Sequence, residues 1–200
     1  YETVNVEAAT MRTGARLARR SKPKGDVTSR CDCPTADCRC LAVADLSFGR
    51  ELVADPAGRD SEWLITNGIG GYASGTVIGL RHRAYHGLLV AALTPPTGRR
   101  VMIPALVETV IVGDRTLELS ALRWQDGTLA PDPGAALVGF SLEGTSAVWR
   151  YQAGGLTLER RLWMDHGGNV TRLAYRLVQS SLAVRLKVQV RGARQQFLAG

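Results

Sequence analysis

The sequence predicts an all-β fold, an antiparallel β-sandwich (supersandwich-like) preceded by a disordered leader. Three observations lead there. From about residue 46 onward, short apolar segments are punctuated by Gly, Pro and Asp. Several of these segments alternate strictly between aliphatic and polar residues, the period that puts one face of a strand inside and the other in water. No segment sustains a 3.6-residue apolar period with helix caps. Many short strands at regular spacing favour two packed sheets with wet outer faces.

Residues 1–45 form the first unit. Pro, Gly, Lys, Arg, Ser and Thr dominate it and aromatics are nearly absent. Such a stretch buries too little surface to offset the entropy of ordering it, so it is expected to lie outside the fold. Its basic cluster of Arg12, Arg16, Arg19, Arg20, Lys22 and Lys24 accounts for part of the net charge of +7. The other arginines scatter through strand-like sequence and read as solvated faces. Basicity of this kind speaks first to solubility, so nucleic acid is not an expected partner. All four cysteines fall at Cys31, Cys33, Cys38 and Cys40. Four thiolates can hold a tetrahedral zinc, but C-x-C pairs fit the usual knuckle geometry poorly. They read as incidental residues of the leader, and no metal or cofactor is expected. No run approaches the roughly 18–20 apolar residues of a membrane span, and residues 1–10 lack the order of a signal peptide. A cytoplasmic chain is the expectation. It opens on Tyr1 and stops at Gly200 without a terminal signal, which marks it as a candidate fragment.

The second unit, 46–200, is the expected sandwich domain. Its most unusual stretch runs Glu62-Trp63-Leu64-Ile65-Thr66-Asn67-Gly68-Ile69-Gly70-Gly71-Tyr72-Ala73-Ser74-Gly75-Thr76. Glycines at this density mark backbone that turns sharply or approaches something closely. A phosphate cradle does not fit, because no Lys-Ser/Thr and no helix pattern follow. A tight loop leading into a strand is the plain alternative. Further on, Gly113-Asp114 separates Val107–Val112 from Thr116–Leu119, and Gly154-Gly155 offers the positive φ angles of a hairpin turn. Leu173, Tyr175 and Leu177 oppose Arg172 and Arg176. Leu182, Val184, Leu186, Val188 and Val190 alternate with Ala183, Arg185, Lys187, Gln189 and Arg191.

Trp63 and Tyr72 bracket the glycines, and Arg83, Tyr85 and His86 follow shortly after. Aromatic faces stack on the C–H faces of sugar rings, while Asn, Arg and His tips bond hydroxyls. The phrases E-W-L-I-T-N-G-I-G-G-Y-A-S-G-T (62–76) and Y-H-G-L-L-V-A-A-L (85–93) carry a resemblance. The chain resembles the N-terminal domain of bacterial and archaeal glycogen debranching enzymes of the amylo-α-1,6-glucosidase type. Further phrases, V-E-T-V at 107–110, V-W-R-Y-Q-A-G-G-L-T-L-E-R at 148–160 and H-G-G-N-V-T at 166–171, follow in order. The resemblance starts near Leu46 and runs almost to the end. It implies a β-sandwich that helps bind or position α-glucan in glycogen catabolism. It also implies a following helical (α/α) barrel as partner, which carries the glycosidase carboxylates and has no counterpart here. Residues 1–45 have no counterpart in it either, and 191–197 match its pattern loosely.

The tentative substrate-binding residues are Trp63, Asn67, Tyr72, Arg83, Tyr85 and His86. Trp63 and Tyr72 stand out because glycine-rich loops are commonly exposed. Tyr85-His86 reads either as a buried hydrogen-bonded pair or as a sugar-facing one. His82 and His86 are four apart, but on loop and strand that spacing does not bring two metal ligands together. His166, followed by two glycines, reads as a turn residue. Trp124, Trp149 and Trp163 read as core. Glycosidic hydrolysis needs two carboxyl groups roughly 5–9.5 Å apart. Nothing in the spacing of Glu62, Glu108, Glu159 and Asp165 marks such a pair, and they read as turn acids or solvated faces. No catalytic residue is assigned. The alternative to a debranching-enzyme domain is a stand-alone carbohydrate-binding or structural sandwich.

Overall fold

The computed structural model describes residues 5–6, 10–11, 46–121 and 132–191, with no side-chain description at 5, 6, 10, 11, 52, 133 and 191. The chain is an all-β antiparallel sandwich. Its strands, in order, are β1 (Asn5–Val6), β2 (Thr10–Met11), β3 (Leu46–Phe48), β4 (Glu62–Thr66), β5 (Tyr72–Thr76), β6 (Gly87–Thr94) and β7 (Thr97–Ile103). There follow β8 (Ala105–Val112), β9 (Arg115–Glu118), β10 (Leu137–Glu143), β11 (Ser146–Ala153), β12 (Leu156–Met164), β13 (Thr171–Gln179) and β14 (Val184–Arg191). They form three sheets. The first has the order β1-β14-β8-β9, with β2 also on β14; the second is β13-β12-β11-β10-β3; the third is β4-β5-β6-β7.

The predicted turns occur where the glycines stand. Gly154 and Gly155 join β11 to β12 with φ of +55° and +80°, and Gly113 turns β8 into β9 at +56°. The alternation of the last strand is realised on β14, whose Val184, Leu186 and Val188 share the face of Val112, Val110 and Glu108 on β8. β7 passes into β8 across Pro104 alone. Pro104 has no N–H to continue a ladder, so the third sheet ends there and the first begins.

Two short helices were not expected, α1 (Arg50–Ala54) and α2 (Pro56–Arg59). Neither is long enough to show a 3.6-residue period. Pro56 opens α2 at the position where its missing N–H costs nothing. Within the stretch read as a leader, β1 and β2 pair with the edge of β14 that faces away from β8. A free edge of unpaired N–H and C=O groups accepts such short additions. The cysteines, the basic cluster from Arg12 to Lys24 and Trp124 lie outside the described residues.

The core joins all three sheets. Trp149 on β11 is buried, meets Trp63 of β4 edge-on at 5.2 Å and leans on Phe140 of β10 at 5.2 Å. Both indoles keep their N–H satisfied: Trp149 Nε1 donates to Val77 O at 2.8 Å and Trp63 Nε1 to Thr76 O at 3.1 Å. Beside this cluster, Glu108 of β8 and Arg160 of β12 are both buried and meet between the first and second sheets, Arg160 Nε lying 2.8 Å from Glu108 Oε1. The Nε–H does not point along that line, so the contact is one of charge rather than a hydrogen bond. The Tyr175 hydroxyl bonds the same carboxylate, and the guanidinium sits 4.4 Å from the centre of the Trp149 ring. Burial is the largest single influence and works to lower the Arg160 pKa, but Glu108, Tyr151 and Tyr175 together outweigh it and the net shift is upward. The sequence reading put Glu108 and the arginines on solvated faces; this pair corrects it.

Glu159 is also buried, at 7% exposure, yet on the outer face of the second sheet. The arginines around it, Arg150, Arg161 and Arg176, cover it. Trp163, read as core, lies half-buried on that same outer face, between Ser146 and Arg172.

Candidate functional site

The glycine-rich segment is a clamp, not an exposed platform. Asn67 is fully buried and uses its whole amide. Its Oδ1 accepts the N–H groups of Ile69 and Gly71 at 3.1 and 2.9 Å. Its Nδ2 donates to Gly168 O at 2.9 Å and Asn169 Oδ1 at 3.2 Å. One side chain thus folds the loop on itself and ties it to the turn between β12 and β13. Gly68 and Gly70 adopt φ of +80° and +95°. A Cβ at Gly68 would strike the His166 ring, and one at Gly70 the Pro96 carbonyl. These glycines answer to close packing within the protein. His166 is the expected turn residue and forms one jaw of the clamp.

Trp63 departs from its expected role in the same way. It belongs to β4, whose residues alternate exposed and buried, and the alternation turns Trp63 and Ile65 inward while Glu62, Leu64 and Thr66 face out. At 4% exposure, with its N–H engaged, Trp63 supports the site from behind.

The remaining four candidates do come together. Tyr72, Arg83, Tyr85 and His86 line a surface groove of about 240 Å³, along with Glu62, Leu64, Ser74 and one edge of Trp63. Antiparallel pairing of β4 with β5 sets Leu64 opposite Ser74 and Thr66 opposite Tyr72, so the floor is one sheet face. The far wall is the loop before β6. Arg81 stiffens it, donating from Nε to His86 O and from Nη2 to Ala84 O, each at 2.8 Å. The Tyr72 hydroxyl donates to Tyr85 O at 3.3 Å and fastens the loop to the floor. Tyr85 is left 72% exposed, and Leu64 56%.

Glu62 is the residue that sequence reasoning left out of the site. Arg83 Nε donates to Glu62 Oε1 at 2.6 Å, and His86 Nε2 stands 3.5 Å from the same oxygen. The hydrogen bond from Arg83 is the main cause holding the Glu62 carboxyl below its ordinary pKa. His86 is buried, and burial lowers its pKa, with the Glu62 charge opposing. Its Nδ1 accepts the His82 N–H at 3.3 Å, which leaves the imidazole proton on Nε2, facing Glu62. The two readings of Tyr85-His86 therefore divide between the residues: the histidine is buried and bonded, the tyrosine open. The alternation of β4 was the signal for Glu62, since its position shares the outward face with Leu64.

At neutral pH the groove presents a paired ion couple, a neutral imidazole, phenol and serine hydroxyls, and an exposed aromatic beside a leucine. Such a surface suits a neutral, hydroxyl-rich ligand with apolar C–H faces. Among the described residues it holds one carboxylate, short of the pair that glycosidic hydrolysis needs. A larger recess of about 500 Å³ lies between hairpin ends and is walled by Val112, Leu117, Leu156 and Leu182. It carries no aromatic side chain to stack on a ring. Among the described residues, no three His, Cys, Asp or Glu side chains gather as metal ligands would, and no helix is long and apolar enough to cross a membrane.

Residues 61–197, more than half of the chain, match the family model described as glycogen debranching enzyme N terminal. Neither a curated protein nor a solved structure matches the chain.

Proposed function

Because the chain belongs to the glycogen debranching enzyme N-terminal family, we propose that residues 46–200 form the substrate-positioning domain of a cytoplasmic enzyme that hydrolyses α-1,6-glucosidic branches. In this reading the groove of Glu62, Tyr72, Arg83, Tyr85 and His86 engages α-glucan, and a helical barrel of the same protein, outside this chain, performs the cleavage. The domain contributes binding energy and orientation, which lower a barrier without any proton transfer of their own. The observation that carries the proposal is the solitary carboxylate. An exposed tyrosine and hydroxyl-bonding groups surround Glu62, but among the described residues no second acid lines the groove to serve as its catalytic partner.

The test is turnover of a branched limit dextrin. The 200-residue chain is expected to release no glucose, and a version continued into the downstream reading frame is expected to release it. Measurable glucose release by the chain alone overturns the division of labour.

A further inference from the structure

We infer that the groove takes a single neutral pyranose ring, the terminal unit of a glucan chain, and neither an extended run of glucosyl units nor a phosphorylated sugar. The inference rests on the glucan reading above and narrows it. Three features of the groove carry it.

The first is size. The volume of about 240 Å³ falls below the roughly 300–1,000 Å³ of pockets that enclose drug-sized ligands. Along β4 the lining spans only from Glu62 to Leu64. Two strand steps cover about 7 Å, the width of one ring rather than a row of them.

The second feature is the apolar surface. Tyr85 and Leu64 are the large apolar side chains left open, and each stands on a different wall, one on the loop and one on the sheet. A ring that enters between them covers its C–H face on the phenol. Among the described residues the lining has no second exposed aromatic on which a following ring would stack, because Trp63 is turned inward and Tyr72 is half-buried with its hydroxyl tied to Tyr85 O.

Charge is the third. Arg83 is committed to Glu62 at 2.6 Å, and Arg81 turns its Nε and Nη2 to the carbonyls of its own loop. His86 is buried against the same carboxylate. A phosphate entering the groove therefore meets an ionised carboxylate that already offsets the charge of the neighbouring Arg83. Sugar hydroxyls, in contrast, donate well to a carboxylate that accepts only.

The experiment is an NMR titration of the full chain, following the amides of residues 62–86. Glucose, maltose, maltotriose, maltohexaose and glucose 6-phosphate are the probes, repeated on Tyr85→Ala. The expected result is saturable shifts with glucose and with the three glucans, and dissociation constants that stay within threefold from glucose to maltohexaose. Glucose 6-phosphate is expected to bind at least tenfold more weakly, and Tyr85→Ala to lose tenfold on every neutral sugar while its spectrum stays folded. Affinity that climbs tenfold or more with chain length, or equal binding of the phosphorylated sugar, overturns this inference and leaves the glucan reading standing. No saturable shift with any of the five removes both.

Discussion

Asn67 closes four hydrogen bonds from a site with no access to water. Asn67→Ala strands the buried N–H of Gly71 and the part-buried N–H of Ile69, and buried donors without acceptors cost about 1–3 kcal/mol each. A loss of roughly 3 kcal/mol is expected, read as a lower denaturant midpoint. His86 gives a second prediction at this scale. Burial holds its folded pKa below the ordinary value, so on acidification the unfolded chain takes up a proton that the folded chain still refuses. The stability this confers is complete above about pH 6.5 and is lost as pH falls through 6.5 toward the folded pKa. The midpoint of the native chain should therefore drop from pH 7 to pH 5.5 by more than that of His86→Gln; parallel profiles for the two would contradict it. The sequence showed that the Trp63–His86 region was special but misjudged two of its residues. Glycine density is the same whether backbone approaches a ligand or another part of the protein. At Asn67 and Gly70 the close neighbours are Gly168, Asn169 and Pro96, which lie far along the chain or across a hairpin and leave no local trace.

Among the elements, β8 and β12 carry the sharpest test of the core. Glu108 and Arg160 each interrupt an inward-facing aliphatic series, Leu106, Val110 and Val112 on one strand and Leu158, Leu162 and Met164 on the other. Removing one partner leaves the other charge buried and alone, at a cost of about 3–5 kcal/mol, whereas apolar replacement of both is far milder. Glu108→Leu and Arg160→Met are each expected to lower stability by about that amount, and the double variant by less than either. A strictly additive double mutant, measured by denaturant unfolding, would show that the pair is not coupled. The strand alternation was legible at β13 and β14, and the hairpins at Gly113 and Gly154-Gly155, because each depends on neighbours in sequence. The inward position of Glu108 and Arg160 was misread as solvated, because charged residues in strand-like sequence ordinarily mark the outer face. What the sequence did not supply was their pairing across two sheets, which needs the tertiary fold.

For the molecule as a whole, the fold separates support from contact. Trp63, Asn67 and Trp149 hold the third sheet against the core from behind. Glu62, Leu64 and the loop bearing Arg83 and Tyr85 meet solvent in front. In the groove Arg83 is offset by Glu62, so attraction of polyanions is not what this surface is built for. The proposed role of this front surface is to hold glucan. Isothermal titration of the chain with a branched limit dextrin tests it most directly, run beside Tyr85→Ala. Saturable binding is expected, weakened at least fivefold in the variant while its unfolding midpoint is unchanged. Equal binding by both proteins, or none by either, would contradict it.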